Sequence, residues 1–150
     1  MPSDFDIIVR SKESGEIRLL CETKLHARDI QSAELQLKEA MARFSCPLGL
    51  LVTPEVLRAY SDRYTSDVPA DSIELLGEFD SRRLLPFKSN GGLQLNEQQF
   101  EDAVQRWLES LPDTFSSDTI SDPRLAGILT TFIVPALASG QVSAAAPRYF

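Results

Sequence analysis

The sequence has little of the cysteine and histidine from which disulfide frameworks, zinc sites and many hydrolase active sites are built. Among 150 residues there are two cysteines, Cys21 and Cys46, and one histidine, His26. Their spacing does not match a zinc site, and no nucleophile-elbow motif stands near the histidine. Two cysteines are too few for a disulfide framework, which favours a reducing, cytoplasmic location.

Other features that the sequence lacks narrow its function further. It has no secretory leader and no uncharged apolar run of the roughly 18 residues that a membrane span needs, so we expect a soluble, unexported protein. The glycine-rich residues 89–92 lack the lysine and the preceding strand of a phosphate-binding loop. The formal net charge is −7, which argues against broad electrostatic capture of nucleic acid. The acidity is concentrated in residues 29–80, whereas residues 1–28 carry balanced charges.

What is present indicates one globular domain, because 43% of the residues are hydrophobic and a chain of this length can bury about 68–70% of its unfolded surface. Hydrophobic periodicity predicts the elements, and helix-start signals place N-caps at Asp29, Thr53 and Asn96. Residues 66–71 are expected to form a loop, and residues 89–92 a turn. Strands are expected at residues 5–10, 17–24, 48–52 and 72–79, and helices at residues 30–44, 54–64 and 96–111, with a further buried helix within residues 123–138.

The order of these elements predicts an α/β fold with a mixed central sheet that contains an antiparallel hairpin and is flanked by helices. Residues 1–111 are expected to form the main domain. Residues 112–150 are expected to form a C-terminal helical extension that packs on this domain or on a partner chain. The uncharged residues 125–138 are too short for a membrane span, so they are interpreted as a buried helix or an interface.

Charged side chains interrupt the first two predicted strands, which are otherwise apolar. Gly15 suits a tight hairpin turn in which Lys12 faces Glu16. In that register Asp6 lies directly opposite Glu22, with their Cβ atoms roughly 5 Å apart on one face of the hairpin. Lys24 shares this face because side chains alternate along a strand.

Two carboxylates at this distance repel each other unless a cation or a shared proton lies between them. A hard divalent ion such as Mg²⁺ satisfies both and keeps positions for water and a phosphate oxygen. Lys24 could then hold a phosphate or help to activate the attacking water. The alternative is a hairpin with a solvated charged face, on which Glu22 and Lys24 make ordinary cross-strand pairs.

The strand at residues 5–9, the E-x-K sequence of residues 22–24 and the following helix with Gln36 resemble the PD-(D/E)XK nuclease superfamily. This resemblance implies a restriction-endonuclease-like core and the hydrolysis of DNA phosphodiester bonds in restriction, repair or defence. It assigns Mg²⁺ or Mn²⁺ to Asp6, Glu22 and the backbone carbonyl of Thr23. Lys24 would assist the attacking water, and Gln36 would complete the catalytic set.

Two features depart from the family pattern. The family core begins with a helix and a strand before the aspartate, whereas here Asp6 stands near the first residue of the sequence. An upstream part, the C-terminal segments or a partner chain would have to supply them. Ala40 stands where the family helix often has a tyrosine. A second hypothesis is therefore a catalytically inactive nuclease-like fold that serves as a binding or oligomerisation module. It would form a homo-oligomer or a larger complex through residues 123–138.

Overall fold

The computed structural model describes residues 5–26, 28, 30–63, 72–84 and 96–145, and it has the expected α/β architecture. Six strands form one mixed sheet in the order β5-β4-β3-β2-β1-β6, in which β2 and β3 are parallel and the other neighbours are antiparallel. The strands are β1 (Ile7–Ser11), β2 (Ile17–Thr23), β3 (Leu48–Val52), β4 (Val56–Asp62), β5 (Ile73–Asp80) and β6 (Gly140–Ala144).

The hairpin of β1 and β2 has the predicted register at its open end. Ile7 pairs with Cys21 and Val9 pairs with Leu19, but the register shifts by one residue after Val9. The prediction that Lys12 faces Glu16 is therefore wrong, because the backbone N–H of Ser11 donates to Glu16 at 2.8 Å. A bulge absorbs the extra residue of a longer turn, in which Gly15 has the positive φ of 76° that its position requires.

Helix α1 (Ile30–Arg43) carries the chain from β2 to the parallel strand β3. Its predicted apolar stripe is buried at Ala33, Leu37, Ala40 and Met41, whereas Phe44, just after the helix, is 42% exposed. These residues pack with inward-facing residues of the strands (Ile8, Leu20, Leu51 and Tyr60). We call this side of the sheet the α1 face. The predicted N-cap, Asp29, lies outside the described residues.

The second predicted helix does not form. The residues after Thr53 instead make a tight turn into β4, which pairs with both β3 and β5. The Thr53 hydroxyl accepts hydrogen bonds from the backbone N–H groups of Glu55 at 3.2 Å and Val56 at 2.9 Å. A threonine uses the same bonds to begin a helix, so the local signal was ambiguous. β5 confirms the last predicted strand, with its bounds shifted by one residue.

The opposite side of the sheet, here called the α2 face, is covered by α2 (Glu97–Thr114), α3 (Pro123–Ile128) and α4 (Val134–Ala138). α2 begins with the predicted cap: the Asn96 side chain accepts from Gln99 N–H, and the Gln99 side chain accepts from Asn96 N–H. Its predicted apolar positions are all buried (Phe100, Val104, Trp107, Leu108 and Leu111). A π-helical turn, Leu129–Ile133, joins α3 to α4.

The C-terminal segments complete the same core. Leu125, Leu129, Ile133 and Leu137 are buried with the α2-face residues of the strands, which accounts for the uncharged stretch. The C-terminal extension was expected to be helical, but its residues 140–144 form the strand β6, which pairs antiparallel with β1. The predicted loop at residues 66–71 and the turn at residues 89–92 lie outside the described residues. Within the described part of the chain, none of the helices has the length and hydrophobicity to cross a bilayer.

Candidate functional site

A cavity of about 160 Å³ opens where the end of β2 meets the first turns of α2. Three residues of the predicted site, Asp6, Thr23 and Lys24, line it. The remaining lining residues are Leu25 and four residues of α2 (Glu97, Gln98, Phe100 and Glu101). The hairpin and α2 thus place two groups of polar side chains, distant in the sequence, around one space.

Asp6 is fixed at the edge of this cavity by its main chain and its side chain. Its backbone N–H donates to the Cys21 carbonyl at 2.9 Å, and its carbonyl accepts from Ala145 N–H at 2.9 Å. The main chain of Asp6 is therefore hydrogen-bonded to β2 on one side and to Ala145 on the other. Its carboxylate oxygen Oδ2 accepts from the backbone N–H of Thr23 at 2.8 Å and from the Thr23 hydroxyl at 2.9 Å. Asp6 therefore has a defined orientation.

Glu22 lies at the same end of the hairpin but faces the other side of the sheet. It is 3% exposed and pairs directly with Leu51 of β3, whose side chain belongs to the α1 face. Because paired residues point to one face, Glu22 points toward the α1 face too. Its Oε1 lies 3.9 Å from Lys24 Nζ. Lys24, with 32% of its side chain exposed, thus links Glu22 to the cavity.

The predicted site residues are therefore only partly brought together. Asp6, Thr23 and Lys24 share the cavity, and Glu22 reaches it through Lys24 but does not line it. Gln36 lies on the exposed side of α1 and does not line the cavity. Its predicted catalytic role is not supported by this placement.

Sequence reasoning missed the contribution of α2. Gln98 Nε2 donates to Glu101 Oε2 at 3.3 Å and to Asp102 Oδ1 at 3.4 Å. Glu97 and Glu101 are one helical turn apart, so their side chains project from the same side of α2. That spacing was visible in the sequence, but nothing local indicates that this side of α2 meets the end of β2.

The carboxylates of the site create a negative electrostatic environment. The pKa of the Cys21 thiol is raised well above its ordinary value, first because the thiol is fully buried and then because Asp6, Glu22 and Glu101 all disfavour a second negative charge. Asp6 lies just before β1, Glu22 in β2 and Glu101 in α2. An arrangement of this kind attracts a cation.

Three of the residues that line the cavity are candidate ligands for a divalent ion. Asp6, Glu97 and Glu101 offer carboxylate oxygens around the cavity, and Mg²⁺ and Mn²⁺ take oxygen ligands. No three Asp, Glu, His or Cys side chains of the described residues converge as a ready-made metal cage. This is compatible with Mg²⁺, which proteins commonly hold through one or two carboxylates, with water and substrate phosphate completing its coordination.

We compared the chain with protein-family models, curated proteins and solved structures, and none of the three comparisons found a match.

Proposed function

We propose that this protein is a metal-dependent nuclease that hydrolyses phosphodiester bonds in DNA. One observation carries the proposal: an antiparallel hairpin with Asp6, Glu22 and Lys24 at its open end is followed by the α1 crossover to a parallel strand. This is the arrangement that the resemblance to the PD-(D/E)XK superfamily implies. The proposal therefore combines sequence motif, topology and the acidic cavity.

The C-terminal segments support the proposal because they occupy the place of two elements that the family core has before its aspartate. The family core has a helix and a strand before the aspartate. Here α4 leads directly into β6, and β6 pairs with the free side of β1. A helix and a strand thus occupy the place next to β1, although they come last in the sequence. We interpret α4 and β6 as standing where the family core has its first helix and strand.

The residues around the cavity suggest how they would act on a phosphodiester. Asp6 and the α2 carboxylates would hold Mg²⁺ or Mn²⁺, which when bound supplies positive charge to the scissile phosphate. Lys24 would donate hydrogen bonds to a phosphate oxygen or orient the attacking water. Glu22, 3.9 Å from Lys24, would keep the ammonium group in place.

The proposal is tested by incubating the protein with plasmid DNA and Mg²⁺ or Mn²⁺. Asp6→Asn and Lys24→Ala should each lower the cleavage rate about 100-fold or more, since each removes a charged group from the reaction. Lys12→Ala is the matched control, because this lysine lies at the opposite end of the hairpin, and it should retain the wild-type rate. Equal cleavage by the wild type and the two site variants would disprove the assignment.

The second candidate is a nuclease-like fold that binds or assembles without catalysis. The burial of Glu22 favours it, because a carboxylate that is 3% exposed and faces away from the cavity is poorly placed to reach a cation there. Calorimetry with Mn²⁺ separates the two candidates. A competent site binds the ion and loses it in Asp6→Asn, whereas a site without metal binding supports the inactive module. Light scattering tests the predicted oligomer.

A further inference from the structure

We propose that a groove at the turn end of the hairpin binds a single strand of DNA, with arginines on the phosphates and a base stacked on Phe44. This basic groove has a volume of about 620 Å³, within the roughly 300–1,000 Å³ typical of ligand sites. It is lined by residues of the hairpin and of the turn after α1 (Arg10, Ile17, Arg18, Phe44, Ser45 and Pro47). The inference rests on the proposed function in one respect, the choice of DNA as the polyanion.

Phe44 is an aromatic ring that stays accessible at the edge of the core. The hydrophobic periodicity predicted it as part of the buried stripe of α1, but it is 42% exposed. Its ring meets the ring of Phe5 edge to face, with the centroids 5.6 Å apart, so it is held in place while much of it remains open. Proteins that bind single strands stack bases on aromatic rings. Phe44 therefore offers a base a fixed platform.

The end of α1 determines where this ring lies. Cys46 N–H donates to the Met41 carbonyl at 2.8 Å, and Ser45 N–H donates to the Ala42 carbonyl at 3.3 Å. These are the two bonds of a Schellman motif, in which the residue with positive φ is usually glycine. Here that residue is Ser45, with a φ of 51°, which is unfavourable for a residue with a Cβ. The turn thus places the side chains of Phe44 and Ser45 together at the groove.

The charge of the groove suits a polyanion. Arg10 and Arg18 lie in the neighbouring strands β1 and β2, and both are exposed. The guanidinium of Arg43 lies 6.0 Å from the centre of the Phe44 ring. Glu16 also lines the groove, 3.5 Å from Arg18, so three arginines there face one carboxylate. This local positive excess stands out in a chain with a net charge of −7, and arginine binds phosphate through its forked N–H groups.

The basic groove is well separated from the acidic cavity. Arg18 is five residues from Thr23 along β2, which is roughly 17 Å at the rise of a β-strand. Charges on the surface are largely screened beyond about 8 Å at physiological ionic strength. The carboxylates of Asp6 and Glu101 therefore do little to repel a phosphate held in the groove.

Binding is tested by fluorescence anisotropy with a labelled oligothymidylate of about ten nucleotides, in EDTA so that no cleavage occurs. Phe44→Ala should bind about tenfold more weakly than the wild type, and Phe44→Tyr, which keeps the ring, should stay close to it. Arg18→Gln should weaken binding and reduce the slope of log K against log salt by about 0.7, the loss of one single-strand phosphate contact. Arg106→Gln is the matched control, because it removes the same charge from an exposed position of α2, and it should bind like the wild type.

An abasic oligonucleotide of the same length separates stacking from charge. The wild type should bind it about tenfold more weakly than oligothymidylate, whereas Phe44→Ala should bind the two alike. Thermal unfolding midpoints identify any loss that comes from misfolding. If Phe44→Ala does not fold, the comparison of Arg18→Gln with Arg106→Gln decides.

Three results would overturn the inference and leave the plasmid assay to decide the nuclease proposal separately. They are a wild type that does not bind oligothymidylate, equal binding by Arg18→Gln and Arg106→Gln, and oligoglutamate binding as tight as that of oligothymidylate, which would indicate a general site for acidic chains. Oligothymidylate binding with the expected pattern but without plasmid cleavage would support the inference and count against the nuclease proposal.

Discussion

The two faces of the sheet differ in the balance of positively and negatively charged side chains. On the α1 face, Glu34 accepts from Arg58 at 3.1 Å and from the Tyr60 hydroxyl, and Lys38 lies 3.6 Å from it. Arg58 also lies 3.7 Å from Glu78, so two cations there meet two carboxylates. The cavity on the α2 face is lined by three carboxylates and one lysine. Charges that join α1 to the sheet are balanced, whereas those around the cavity leave a negative excess.

The largest loss of stability is expected from a substitution on the α2 face, because α2 buries its apolar side against the strands. We expect Leu108→Ala, at a fully buried position, to lower the free energy of unfolding by about 2–5 kcal/mol through lost burial and the cavity left behind. Urea denaturation measures this. Leu35→Ala on α1 is the control, since Leu35 is 58% exposed and should change stability by less than about 0.5 kcal/mol. Similar small losses in both variants would contradict the described packing of α2.

The next largest loss of stability is expected at Gly140, where α4 and β6 closely approach β1. A Cβ on Gly140 would lie 2.6 Å from the Ala136 carbonyl oxygen and 2.6 Å from a methyl group of Val9. Gly140→Ala should therefore cost about 1–3 kcal/mol. Gly127 in α3 has no atom within 4 Å of its Cβ position, and Gly127→Ala should be neutral or stabilising by up to about 1 kcal/mol. A neutral Gly140→Ala would show that β6 does not lie against β1.

The sequence alone predicted the elements whose signals are local. The stripe of α1, the cap and apolar side of α2, and the fully buried strand β3 were all expected with nearly the observed bounds. The hairpin was also predicted, with its register correct at Ile7 and Val9. In each case the pattern lies within about 20 residues, so neighbouring residues are enough to determine it.

The parts of the fold and of the candidate site that the sequence did not predict depend on contacts between residues that are distant in the chain. The bonds of the Thr53 hydroxyl fit a helix start and a hairpin turn equally, and pairing of β4 with β3 and β5 decides for the strand. The weakly apolar β6 becomes a strand because the edge of β1 is there to pair with it. The cavity needs α2 beside β2, so the participation of Glu97 and Glu101 could not be predicted from the hairpin motif.

A smaller effect is expected at the α2 end that borders the cavity. Asn96→Ala removes the side chain that accepts from Gln99 N–H and should lower the free energy of unfolding by about 1 kcal/mol. Because Glu97 lies in the first turn of α2, fraying there should also loosen the cavity. Asn96→Asp retains the acceptor and should stay close to the wild type. If both variants unfold at the same denaturant concentration, the cap makes no contribution of its own.

The smallest effect concerns the balanced charges of the α1 face and depends on pH. Burial acts to raise the pKa of Glu34, but the Tyr60 hydrogen bond and the nearby Lys38 and Arg58 outweigh it, so the pKa is lowered from 4.5. A carboxylate with a lowered folded-state pKa contributes stability above its ordinary pKa and loses it as the pH falls through the lowered value. Tyr60→Phe removes one of the interactions that favour the charged form.

We therefore expect Tyr60→Phe to cost about 0.5–1.5 kcal/mol at pH 7 and less at acid pH, because protonation of Glu34 removes the charge that the hydroxyl favours. Urea denaturation of both proteins at pH 7 and at acid pH measures the difference. Leu35→Ala, which changes no ionisable group or hydrogen bond, should show the same small effect at both. A cost of Tyr60→Phe that does not change with pH would mean that the hydroxyl contributes through packing or a pH-independent hydrogen bond. The ionised Glu34 would then not be what joins α1 to β4.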